Sequence, residues 1–342
     1  MTRILASTLL ATTFLLLGIA ASAEPPDPGF KVLNKLAIGG EGSWDYLTID
    51  PAAHRLYVPR GNRVLVIDVD AGKVVGEVSN TPGIHGVALA PKIKRGFTSN
   101  GGENSVTIFD LESLKETGRV KVGNRPDGIL YDPASDRVFT FNAGSSDATA
   151  IAAADGTVAG TVKLGGKPES SVSDEKGMIF VNIEDKNEVV AFDAKELAVK
   201  HRWPLGEGKR AVGLAMDRAK RRLFSTCGNE KMVVLEADTG KILATLKIGR
   251  GTDYAAFDPE LGLAFSSNGA DGTLTVVAED SATQYAVAAN LPTQAGARTM
   301  ALDPKAHRLY LPTARFKAPA AGEQGRRRTM EPDSFVILVV GK

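Results

Sequence analysis

Seven positions in this 342-residue chain share one address. Counting five residues back from each of seven Asp-Pro-like turns lands on Asp45, His85, Asp127, Glu169, Val212, Asp253 and Arg298, and all but Val212 carry an ionisable or imidazole side chain. Four carboxylates held at short range repel one another and raise some of their own pKa values unless a cation compensates. Arg298 and His85 can supply that charge, and so can a bound divalent ion. An oxygen-rich set favours calcium or magnesium, whereas His85 brings in a transition metal, with Asp45 and Asp127 as neighbouring oxygen ligands. A plainer reading is a water-filled pore, neutralised by Arg298 and nearby Arg210, that binds nothing specific. No local motif with metal-ligand spacing decides between the two. Trp44, just before Asp45, either stacks on a ligand at this mouth or plugs a gap between structural units.

The elements that must position these residues repeat. Asp50-Pro51 leads to Arg55-Leu56-Tyr57, Asp132-Pro133 to Arg137-Val138-Phe139, Asp258-Pro259 to Leu263-Ala264-Phe265, and Asp303-Pro304 to Arg308-Leu309-Tyr310. Weaker copies end on Phe97, Phe180 and Phe224, so the aromatic anchors are spaced by 40, 42, 41, 44, 41 and 45 residues. That period is typical of propeller blades. Within the first period, 46–49, 55–59, 64–69 and 73–78 read as four short strands joined by turns, and helical spacing is sustained nowhere after the N-terminal stretch. The expected fold is all-β, a seven-bladed β-propeller of four-stranded antiparallel blades. The last period lacks a fourth strand, and an orphan strand at 32–38 is placed to complete it and close the ring. Inner strands converge on the axis, which would gather the seven positions at the mouth of a central channel.

With the Asp-Pro turn, the Arg-Leu-Tyr strand and the hairpin Asp238-Thr239-Gly240-Lys241, residues 31–342 resemble the YVTN-repeat, YncE-like propellers. No blade spells Tyr-Val-Thr-Asn; Phe97-Thr98-Ser99-Asn100, Phe265-Ser266-Ser267-Asn268 and Phe139-Thr140-Phe141-Asn142 come nearest. The resemblance implies a fold and no particular reaction.

Several features bound the function. Arg3, an apolar run over 9–20 and Ala21-Ser22-Ala23 read as a signal peptide over residues 1–23, with a single propeller domain over 24–342 secreted to a bacterial periplasm. The apolar run is too short for a comfortable membrane span. Lys and Arg number 41 against 40 Asp and Glu, so no global charge draws the chain to nucleic acid. Arg210, Arg298, Arg315 and the Arg326-Arg327-Arg328 triplet leave that partner open but disfavoured, because the aromatics are spent on anchors. Cys227 stands alone, which rules out an intramolecular disulfide and suggests packing over a reactive thiol. Arg60, Asn100, Asn142, Asn182, Cys227 and Asn268 start the loops after the second strands, where Asn is expected to satisfy left-handed turn backbone. His54 and His307 fall in Asp-Pro turns and His201 in an outer strand, all three read as structural. The loop 313–334, longer than its counterparts, folds over the channel, meets an acidic partner or is simply solvated.

The reading that emerges is a monomeric periplasmic propeller that binds a small ligand or a protein partner through its loop face and channel mouth. Trp44, Asp45, His85, Asp127, Glu169, Arg210, Asp253 and Arg298 are the ligand-binding candidates. A metal-assisted hydrolase or lyase built on Asp45, His85, Asp127, Glu169 and Asp253 is the alternative, with no catalytic residue assigned. Export in a Gram-negative host should yield a mature protein whose N-terminal residue is Glu24, checked by intact mass; an uncut chain would remove the export reading.

Overall fold

The computed structural model describes residues 25–281, 284–317 and 329–342. The signal-peptide reading and the triplet Arg326-Arg327-Arg328 lie outside the described residues. Seven four-stranded antiparallel sheets form the ring. Blade one is Thr48–Asp50, Arg55–Pro59, Val64–Asp68 and Lys73–Val78. The inner strands of the next five blades are Ile84–Ala90, Pro126–Asp132, Pro168–Ser173, Ala211–Asp217 and Thr252–Asp258. Blade seven takes Ala301–Asp303, Arg308–Thr313 and Val336–Gly341 from the C-terminal end of the chain, and its outer strand is Lys31–Ala37. The expected closure is therefore the one observed, pairing Lys31 with Gly341 and Ala37 with Val336.

The repeated motif works through three physical devices. The turn Asp accepts backbone N–H bonds from the residues two and three further on, as Asp50 Oδ1 does from Ala52 at 3.0 Å and Ala53 at 3.1 Å, and Asp303 Oδ1 from Lys305 at 2.9 Å and Ala306 at 3.2 Å. The residue before the second strand then adopts positive φ: His54 (54°), Lys94 (54°), Asp136 (55°), Arg221 (55°) and His307 (51°). Such a turn reverses the chain within a few residues and returns the second strand beside the first. Next, the Arg that opens the second strand reaches to the following blade, where Arg55 Nη1 donates to Leu111 O at 2.9 Å, Arg95 Nη1 to Ala153 O at 3.2 Å and Arg137 Nη1 to Ala194 O at 2.7 Å.

The third device is the aromatic anchor. Among the described residues the apolar interior divides into seven clusters, and each of the seven anchors belongs to a different one. Each cluster fills the seam between two neighbouring blades; Phe139 and Phe141 of blade three, for instance, lie with Ile179, Val181 and Phe192 of blade four. The core is thus a ring of seams. An anchor such as Phe139, fully buried and edge-on to Phe192 at 5.6 Å, contributes about 3–5 kcal/mol by the cost of truncating it to Ala.

The seam between blades seven and one differs because its two sides come from opposite ends of the chain. Leu36 and Phe335 meet Leu56, Val58 and Ile67 there. Removing residues 25–37 should expose the edge of Val336–Gly341 and open this seam. The expected outcome is a lower melting temperature with soluble aggregates by size-exclusion chromatography, whereas a truncated protein that stays monomeric with an unchanged melting temperature would show that closure is dispensable.

Candidate functional site at the channel mouth

Backbone contacts between blades set the candidate residues in place. Tyr46 N donates to His85 O at 3.0 Å and Thr299 Oγ1 to Asp45 O at 2.9 Å, while Ser99 and Ser267 hydroxyls hold the carbonyls of Asp127 and Arg298. The sideways bond from Tyr46 explains why the first inner strand begins at Thr48 and not at residue 46 as the sequence suggests. Gly101 brings its backbone close to His85; a Cβ there would sit 2.9 Å from the imidazole.

Five of the seven positions form one charge network, and Glu169 belongs to a second one beside it. His85 Nδ1 lies 2.7 Å from Asp45 Oδ2 and 3.4 Å from Asp127 Oδ1. The other oxygen of Asp45 is 3.5 Å from Arg298 Nη2, and that nitrogen also donates to Trp44 O at 3.0 Å, while Nη1 pairs with Asp253. Glu169 Oε1 accepts from Tyr46 Oη at 2.8 Å; Oε2 has Lys167 Nζ at 3.3 Å but no hydrogen bond of good geometry. Lys167 pairs also with Glu184, which meets Arg210 Nε at 3.3 Å. Arg210 is therefore at the exposed rim. Val212, the one apolar position, is buried and takes no part, its carbonyl accepting from Asn182 Nδ2 at 3.1 Å.

Two residues that the sequence reading passed over close the channel. Tyr46 and Tyr254, each next in sequence to a ring carboxylate, are packed with centroids 5.7 Å apart, and Tyr46 reaches from blade one to Glu169 of blade four. Beneath them a void of about 50 Å³ remains between the inner strands. The mouth is consequently a cup with an aromatic floor. Lys167 and Glu184 were also missed; extending the residue count by one or two places on either side of Asp45, Glu169 and Asp253 would have found Tyr46, Lys167 and Tyr254, whereas Glu184 had no comparable signal.

Beside the cup lies a cleft of about 570 Å³, walled by Gly42, Trp44, Ala270, Phe316 and Met330, with Arg298 shared between the two. Trp44 serves both readings offered for it: it packs on Phe335 at 5.3 Å and Phe316 at 6.0 Å, filling the seam, and also presents a wall to the cleft.

The loop-start set is structural, for a different reason from the expected one. Asn100, Asn142 and Asn268 end their strands fully buried, and their side-chain amides bond across the hairpin to Thr107, Thr149 and Thr275 at 2.9, 3.0 and 2.9 Å. The left-handed positions fall later, at Asn104, Ser146 and Asn187. Arg60 sits over the Phe335 ring at 3.8 Å, with burial lowering its pKa to about 10. Cys227 lies in the seam between blades four and five, where burial lifts its thiol to about 11 and disfavours the thiolate. His54 pairs with Asp70 at 2.8 Å, His307 with Asp258 at 2.7 Å, and His201 stacks on Trp203 at 5.3 Å. Of the long loop, the described flanks meet in a bridge between Phe316 and Met330.

Comparison with known proteins places this geometry in a class. No family model matches the chain, and no curated relative does. Solved structures match along most of its length: Kuenenia stuttgartiensis hydrazine synthase, with 16% identity over 86% of this chain and 97% of that one at a TM-score of 0.71; a chain of the mitotic checkpoint complex, with 16% identity over 100% and 99% at 0.71; and the RRP9 WD40 repeats, with 10% identity over 93% and 99% at 0.73. At such identities the likeness is one of fold. The chain is a seven-bladed β-propeller of WD40-like shape, and among the described residues no helix is long and apolar enough to cross a membrane.

Burial and mutual repulsion shift the acids of the cup. Burial lifts Asp127 to about 6 against the pull of His85, with Asp45 and Asp253 adding to the rise. Burial and then the Asp127 charge lift Glu169 to about 7, opposed by Lys167 and the Tyr46 hydroxyl. Burial also raises Asp253 despite Arg298. For His85 burial acts downwards, but the bond to Asp45 and the surrounding carboxylates outweigh it, and its pKa is raised. In each case the folded protein holds its proton more tightly than the unfolded chain, so stability falls as pH rises from the unfolded values of 3.8 and 4.5 through the folded values near 6 and 7. In EDTA-treated protein the melting temperature should fall between about pH 5 and about pH 8, and Glu169→Gln should flatten that slope; an equally steep slope in the variant would clear Glu169 of the effect.

Proposed function

We propose that this protein is a periplasmic ligand-binding module of the YVTN-repeat, YncE-like kind, taking a small molecule at its loop-face mouth. The blade motifs support the affiliation, and the N-terminal sequence supports the location. Fold alone selects no role, since the similar structures include a hydrazine synthase and a checkpoint complex. The observation that carries the reading is Arg298, which lines the cleft and pairs with Asp253 of the cup. A concave site of roughly 300–1,000 Å³ with apolar walls and a few convergent polar groups is the usual build of a small-molecule site. The cleft is of that size, and its Trp44, Phe316 and Met330 walls suit a flat apolar body. The charged groups of the cup suit a polar head.

Rigidity favours the same role. Loops carried by packed blades present preorganised groups, so little ordering is needed on binding. Nile red, an uncharged aromatic probe, should bind with fluorescence enhancement to the wild type, and Ala270→Trp, which fills the cleft, should abolish it at unchanged melting temperature. Equal enhancement in both proteins would remove the cleft from consideration.

A further inference from the structure

We propose that Asp45, His85 and Asp127 bind a single first-row divalent transition-metal ion, a reading that deepens the assignment of binding to the mouth and does not require the cleft. One donor atom from each residue lies within 4.8 Å of the others, and all three residues are partly buried. Nδ1 of His85 faces both carboxylates, at 2.7 Å and 3.4 Å. Donors about 2.1 Å from a common ion and at right angles around it are about 3 Å apart, so small side-chain rotations convert this arrangement into a coordination shell.

Charge is the second argument. Asp45, Asp127 and Asp253 form one connected network with His85 and Arg298, and Arg298 is the permanent cation within it. Three carboxylates against one cation leave a deficit equal to one divalent ion, and a proton on His85 covers only half of it. A third observation is independent of the cluster. Glu169 is 7% exposed, and its Oε2, beside the blade that carries Asp127, has Lys167 Nζ at 3.3 Å but no hydrogen bond of good geometry. A water on the ion would add a well-aligned donor to this oxygen, the usual role of a carboxylate behind the ligands.

The donor set narrows the metal. One imidazole with two carboxylates suits Zn²⁺ or Mn²⁺ better than Ca²⁺ or Mg²⁺, which take oxygen ligands. Three protein ligands leave further positions for water or for an oxygen of a bound molecule. Binding requires neutral His85, so the proton held between imidazole and carboxylate is released to solvent.

Isothermal titration of EDTA-stripped, dialysed protein with Zn²⁺, and separately with Mn²⁺, tests the site. One equivalent should bind, with a heat that varies with buffer ionisation enthalpy because a proton leaves. His85→Gln and Asp127→Asn should each weaken binding more than about tenfold, whereas His54→Ala, on the opposite face, should leave it unchanged. Circular dichroism and melting in EDTA establish that the variants are folded. Should either fail to fold, pulsed electron paramagnetic resonance of the wild type with Mn²⁺ should show coupling to one imidazole nitrogen. No binding at millimolar metal, wild-type affinity in both cup variants, or Mn²⁺ without nitrogen coupling would overturn the proposal. Metal binding without Nile red binding would count against the cleft alone, and the converse against the metal alone.

Discussion

Packing between successive blades is the interaction on which the rest of the structure depends. A four-stranded blade has two faces and cannot bury either by itself, so each aromatic anchor becomes a core residue only when the next blade is present. Seven seams then need seven neighbours, and the ring has no stable end until Lys31–Ala37 pairs with Val336–Gly341. The Arg reaching from the start of the second strand to the next blade's carbonyl, as at Arg55, Arg95 and Arg137, adds a directional bond to an otherwise non-directional apolar contact.

The same packing brings charges together at the axis that would separate if free to do so. Asp45, Asp127, Glu169 and Asp253 come from blades one, three, four and six, and hydroxyls and amides of neighbouring blades fix the backbone beneath Asp45, His85, Asp127 and Arg298. Since the backbone cannot retreat, repulsion is met by Arg298, His85 and Lys167 and by protons held near neutral pH. Burial beside the Tyr46–Tyr254 pair raises the cost of leaving Asp127 and Glu169 charged.

Function and stability thus pull in opposite directions on one set of residues, a common condition at binding sites. The seams are largely apolar, and the buried Asn100, Asn142 and Asn268 networks are bonded throughout. Glu169 Oε2 stands with a few other buried polar atoms, Trp44 Nε1 and Arg60 Nη1 among them, that lack a hydrogen bond of good geometry, and it is the carboxylate oxygen in that group.

The sequence by itself determined the blades, their number and the closure, because turn chemistry is local: an Asp caps the turn it sits in, and an aromatic three residues after a left-handed position faces the seam whatever lies beyond it. It also placed Asp45, His85, Asp127, Asp253 and Arg298 at one level, since a constant offset from a repeated turn becomes a constant height in a repeated fold. Only the tertiary structure decided which of these touch. Asp45 bridges His85 and Arg298, Glu169 turns to Tyr46 and Lys167, and Arg210 stays at the rim, because side-chain reach across the axis depends on the radius at which seven blades pack. The aromatic floor and the cleft beside Trp44 belong to the same category, being made of residues far apart in the chain that meet only when the ring is closed.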